Sequence, residues 1–67
     1  MDTYAIEIVD YLGTRRGQSV KAIDVATALG IPFERARDTL RQLVEADCGS
    51  VERDPTPLGM TATYRIA

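Results

Sequence analysis

Residues 20–46, Val20-Lys-Ala-Ile-Asp-Val-Ala-Thr-Ala-Leu-Gly-Ile-Pro-Phe-Glu-Arg-Ala-Arg-Asp-Thr-Leu-Arg-Gln-Leu-Val-Glu-Ala46, hold two apolar periodicities separated by Gly30-Ile31-Pro32. In the first, Val20, Ile23, Ala26 and Leu29 recur at helical spacing with Val25 beside them. This predicts a short helix over 21–29, with Val20 in a brief extended piece before it. Gly30 supplies the stop. In the second, Ala36, Leu40, Leu43 and Val44 form one stripe, predicting a helix over 32–46. Pro32 suits its first position, because the missing N–H would have no partner there. Glu34 places negative charge in the first turn, where the helix dipole favours it. This helix is expected to end near Ala46 or Asp47, with Gly49 the best terminator.

The flanking segments complete the outline. Ala5, Ile8, Val9 and Leu12 fall on one face of a helix over 2–12, with Gly13 as its stop. Tyr4, Ile6 and Tyr11 widen the apolar band beyond what one core covers, so this helix is expected to bury two faces, the second of them covered either by the wing or C-terminus or by a second copy in a homodimer. Residues 13–19 form a loop carrying Arg15 and Arg16. Ser50–Arg53 and Ala62–Ile66 are β-compatible runs in which Val51, Tyr64 and Ile66 point to one side. The breaker-rich Asp-Pro-Thr-Pro-Leu-Gly-Met-Thr of residues 54–61 joins them as a hairpin loop. Two strands alone are marginal, so the hairpin must pack on the helices. The expected fold is α+β, mainly α: a three-helix bundle with a C-terminal two-stranded hairpin, in a single domain over 1–67.

Composition narrows the function. The chain has 67 residues, 45% of them hydrophobic, and a net charge of −2, a balance that argues against a disordered tail. The longest uncharged stretch, Pro55 to Tyr64, is too short and polar to cross a bilayer, so no membrane role is expected. Asp2, Glu7 and Asp10 break any apolar leader in the first helix. With no histidine and Cys48 as the only cysteine, there is no disulfide, no Ser–His or Cys–His nucleophile pair and no His/Cys metal cluster. A lone thiol fits a reducing compartment, so a cytoplasmic location is expected. The acids Glu34 and Asp38, or Glu52 and Asp54, are accompanied by no nucleophile and no phosphate-binding glycine loop. No catalysis, no metal and no cofactor are expected.

The order helix, short strand, helix, tight turn, helix, hairpin resembles the winged helix-turn-helix superfamily. Val20–Ile31 followed by Ala36–Ala46 is similar to that family's run of a second helix, a Leu-Gly turn and a recognition helix. The resemblance implies a small DNA-binding transcription regulator of prokaryotic or phage type, acting as a homodimer with its third helix in the major groove of double-stranded DNA. Carried over by position, Phe33, Glu34, Arg35, Arg37 and Asp38 occupy the half of that helix facing base edges. Arg41, Lys21, Arg15 and Arg16 are placed to reach backbone phosphate, and Arg53 and Arg65 flank the wing.

Charge leaves a second reading open. Segments 13–21 and 32–43 carry +3 and +1, whereas 1–12 and 44–54 each carry −3. One basic face suffices for DNA even on an acidic protein. However, the wing tip, Thr56-Pro-Leu-Gly-Met60, has no Lys or Arg, where minor-groove wings present one. Glu34 and Asp38 put negative charge on the face that would approach phosphates. The arginines of the third helix equally suit a solvated face with Glu34, Asp38 and Glu45 as partners, Arg41–Glu45 being the attractive i, i+4 pair. The alternative is therefore a protein-interaction module on the same fold, such as a phage or plasmid accessory protein that inhibits host machinery. It would dock its partner through helix 1 and the wing residues Leu58 and Met60.

Overall fold

The computed structural model describes residues 4–55 and 62–66. In chain order they form α1 (Ala5–Gly13), β1 (Val20–Lys21), α2 (Ala22–Leu29), α3 (Phe33–Glu45), β2 (Val51–Arg53) and β3 (Thr63–Ile66). The architecture is α+β, mainly α, with three helices and a small antiparallel sheet around one apolar cluster. Residues 56–61 of the hairpin loop, Leu58 and Met60 among them, lie outside the described residues.

Each helix follows from its apolar spacing, with differences at the ends. α1 buries Ala5, Ile8 and Leu12. It runs through Gly13, the expected stop, and closes at Thr14 instead. The Thr14 hydroxyl donates to the Tyr11 carbonyl at 2.7 Å, satisfying a terminal acceptor without a left-handed residue. α2 buries Ala22, Val25 and Ala26 and ends as expected at Gly30, whose φ of 67° is left-handed. There the Ile31 amide donates back to the Ala26 carbonyl at 3.0 Å, the long hydrogen bond of a Schellman cap.

Pro32 precedes α3 in an extended conformation rather than standing as its first helical residue, and its carbonyl accepts the amides of Arg35 and Ala36. At the other end, Asp47 rather than Gly49 terminates the helix. Asp47 takes the left-handed conformation at φ 51°, its amide donates to Val44, and the Cys48 amide donates to Leu43 at 2.9 Å. This is a second Schellman cap, built on an aspartate because a short polar side chain tolerates that backbone region. Gly49 and Ser50 follow at φ 67° and 59° and turn the chain into β2.

The sheet has three strands in the order β1-β3-β2, where two were expected. Val20 pairs with Tyr64 and Lys21 with Thr63, while Val51, Glu52 and Arg53 pair with Ile66, Arg65 and Tyr64. A two-residue strand is too short to show a period in sequence. It is held here by Val20, buried against the core beside Tyr64. Side chains alternate across a strand, so Val51, Arg53, Tyr64, Ile66 and Val20 share the helix-facing side. Lys21, Glu52, Thr63 and Arg65 belong to the outer side.

The apolar stripe of α3 holds one residue not expected there. Thr39 is fully buried, and its hydroxyl has no hydrogen-bond partner among the described residues. Valine has nearly the same shape without the orphaned hydroxyl. Thr39→Val is expected to stabilise the fold by about 1 kcal/mol, the low end of the penalty for an unsatisfied buried group. In a chain of this size that raises the melting temperature by roughly 4–8 °C. A circular dichroism melt checks it, and an unchanged or lower midpoint contradicts it.

Candidate functional site

The sheet register and the pitch of α3 together build a basic cleft. Arg37, Arg41 and Val44, at i, i+4 and i+7, lie within two turns on a single face of α3. Opposite them, the inner face of the sheet runs past Tyr64 to Arg53. The space between is about 550 Å³, with Glu45 and Ala62 completing its walls. Arg53 enters the cleft because it lies two residues beyond Val51 on the same face of β2, which carries it past the end of the core.

Asp38 organises the helix side. Its Oδ1 accepts from Arg37 Nε at 3.2 Å and from Arg41 Nη2 at 3.3 Å. The two guanidiniums, a repulsive i, i+4 pair by sequence, are therefore bridged by one carboxylate. Arg41 takes Asp38 as its partner in place of the expected Glu45. The Arg37 guanidinium also sits 5.8 Å from the Phe33 ring centroid, within cation–π range. Both arginines remain open, with side-chain exposures of 47% and 63%. Arg53 has no ion-pair partner among the described residues.

A second carboxylate fixes the strand that carries Arg53. Asp54 Oδ2 accepts from Ser19 Oγ at 2.6 Å and from Thr63 Oγ1 at 2.5 Å, and Oδ1 faces Arg65 Nε at 3.5 Å. Its amide donates to the Thr63 carbonyl at 3.0 Å. Asp54 thus ties the segment before β1, β3 and the end of β2 into one cluster. The Ser19 and Thr63 hydroxyls, with Arg65 adding to them, hold its carboxyl below the ordinary 3.8 against the opposing effect of burial.

The pH dependence follows in sign. A carboxyl with a depressed folded value contributes stability that is present in full above the unfolded value and is lost as pH falls through the folded one. The fold is therefore expected to lose this contribution below pH 3.8. Asp54→Asn should melt lower than wild type at pH 6, with the gap closing as pH falls below 3.8. Thermal melts across that range check it, and a constant gap contradicts the assignment.

The remaining sequence-predicted residues are dispersed. Arg35 and Glu34 are exposed on the first turns of α3, and Phe33 is half-buried against the core. Lys21 and Arg65 belong to the outer side of the sheet, away from the cleft, and Arg65 is engaged by Asp54. Arg15 and Arg16 are exposed in the turn after α1, with the Arg15 guanidinium 4.4 Å from the Tyr11 ring centroid. Tyr4, Ile6 and Tyr11 do not make one surface. Tyr4 and Tyr11, seven residues apart, share a face and pack on the core, whereas Ile6 points to a different side at 75% exposure.

Sequence reasoning missed the Ser19–Asp54–Thr63 cluster and the floor of Val44, Ala62 and Tyr64. The cluster joins residues up to 35 positions apart, and no local pattern announces it. The place of Arg53 was legible, since it alternates with Val51. Among the described residues, no helix is long and apolar enough to cross a membrane. No family model, curated protein or solved structure matches the chain.

Proposed function

We propose that this chain is a winged helix-turn-helix DNA-binding protein that acts as a transcription regulator. α3 enters the major groove by its N-terminal turns, where Glu34 and Arg35 face base edges. Arg37, Arg41 and Arg53 hold the phosphate backbone that passes between α3 and the hairpin. Two features support the reading of the fold. α2 and α3 meet across a tight glycine turn, and β1 joins the hairpin strands in the sheet order β1-β3-β2.

The observation that carries the function is the convergence of three arginines from two separate elements on one cleft. Guanidiniums are suited to phosphate because their planar donors match its oxygens. Asp38 holds Arg37 and Arg41 side by side while leaving both exposed to a ligand. The aromatic and aliphatic floor of Tyr64 and Val44 supports the ribose side of a strand and lowers the local dielectric.

Binding of a fluorescent random duplex, followed by anisotropy at about 50 and 200 mM salt, tests this, since phosphate contacts make affinity fall steeply over that range. A steep fall is the expected result. No binding at the lower salt by a folded protein removes the reading.

A further inference from the structure

The opposite side of α3 carries a different surface. Leu43 leaves the helix on another side than Arg37, Arg41 and Val44. Together with Ala5, Ile6 and Val9 of α1, and with Cys48 and Gly49 of the turn after α3, it lines an apolar groove of about 190 Å³. Ile6 stands at its edge as the most exposed large apolar residue among those described. The groove is smaller than the roughly 300–1,000 Å³ of small-molecule sites. It suits one anchoring side chain of a larger partner.

The charges around it choose the partner. Asp10 lines the groove, with Glu7 exposed on the same helix, and the exposed Asp47 immediately precedes the lining residue Cys48. Neither α1 nor α3 has a basic residue in its last turn. An isologous pairing of two copies would bring Asp10 and Asp47 of each against the same acids of the other, and such like-charge contact is costly. A cationic partner meets the same rim favourably.

We infer that the α1–α3 groove is a docking site for a cationic amphipathic helix of a partner protein, which inserts one large aliphatic side chain beside Ile6 and sets its lysines or arginines against Asp10 and Asp47. The site is separate from the arginine cleft, so both surfaces are available at once. This gives a DNA-bound copy a means of recruiting a second protein without a dimer across α1.

The probe is a fluorescent peptide of leucine and lysine at helical spacing, compared by anisotropy with its leucine and glutamate counterpart. The lysine peptide is expected to bind the full chain at least tenfold more tightly. Ile6→Ser, at an exposed position, should weaken it about tenfold, the ratio for removing one buried aliphatic side chain. The pair Asp10→Asn and Asp47→Asn should narrow the preference between the two peptides. Equal binding of the lysine peptide to wild type and Ile6→Ser overturns the inference, because attraction is then charge alone. So does no binding, or a sedimenting dimer that Ile6→Ser dissociates, which would make a second copy the occupant.

Discussion

Replacing Arg37, Arg41 and Arg53 together by alanine is expected to reduce the salt slope of duplex binding by about 2.7, since each neutralised phosphate contributes about 0.9. Across the fourfold range from about 50 to 200 mM, wild type would then lose about 40-fold more affinity than the variant. The fold should survive, because all three side chains are exposed and exposed ion pairs such as those with Asp38 contribute at most about 1 kcal/mol. An unaltered circular dichroism melt establishes that before binding is measured. Lys21→Ala and Arg65→Ala serve as comparisons, as both residues belong to the outer side of the sheet. If they reduce the slope as much as the cleft arginines do, the duplex lies elsewhere. If the triple variant keeps its slope, the cleft has no part in binding.

The second large effect concerns the turn after α3. Gly49 has a φ of 67°, and a Cβ built there would stand 2.9 Å from Val9 Cγ2 and 3.3 Å from Cγ1. Valine is branched at Cβ and stiff in a helix, so it cannot swing away cheaply. Gly49→Ala therefore meets two costs, the left-handed backbone at about 1–2 kcal/mol and the contact with Val9. A loss of about 2–3 kcal/mol is a large share of the roughly 3–5 kcal/mol that a single core of this size supplies. The melting temperature should fall by roughly 10–20 °C. Adding Val9→Ala separates the two, because it relieves the contact and leaves the backbone cost. A double variant as unstable as Gly49→Ala with Val9→Ala simply summed would show that the two residues do not interact.

The helices were readable because their cores are local. Val25, Ala26, Leu40 and Leu43 announce their burial by spacing, and Gly30 its turn by residue type. Thr39 was not, since a hydroxyl in an apolar stripe is assigned to solvent by pattern alone. The ends were read less well than the bodies. Thr14 and Asp47 cap α1 and α3 through hydrogen bonds that compete successfully with the neighbouring glycines, Gly13 and Gly49. The site divides the same way. Arg37 and Arg41 follow from the helical period, and Arg53 from strand alternation. Their meeting depends on the tertiary packing of β2 and β3 against α3, and Asp54 reaches Ser19 only because β1 joins the sheet. Ile6 shows the limit of an apolar count, because its side of α1 differs from that of the two tyrosines with which its hydrophobicity groups it.

The strand order has a bearing on how the chain reaches this state. β3, the last described element, occupies the middle of the sheet, and β1 and β2 both bond to it and not to each other. A chain emerging from the ribosome delivers α1, α2 and α3 before the strand that both edges require. Until Tyr64 and Ile66 arrive, Val20 and Val51 have no cross-strand neighbours and the arginine cleft has one wall. Local helix contacts form quickly, whereas pairing that spans most of the chain is slow. Docking of β3 is thus the step that closes the structure, and the cleft gains its second wall only after every other described element has been made.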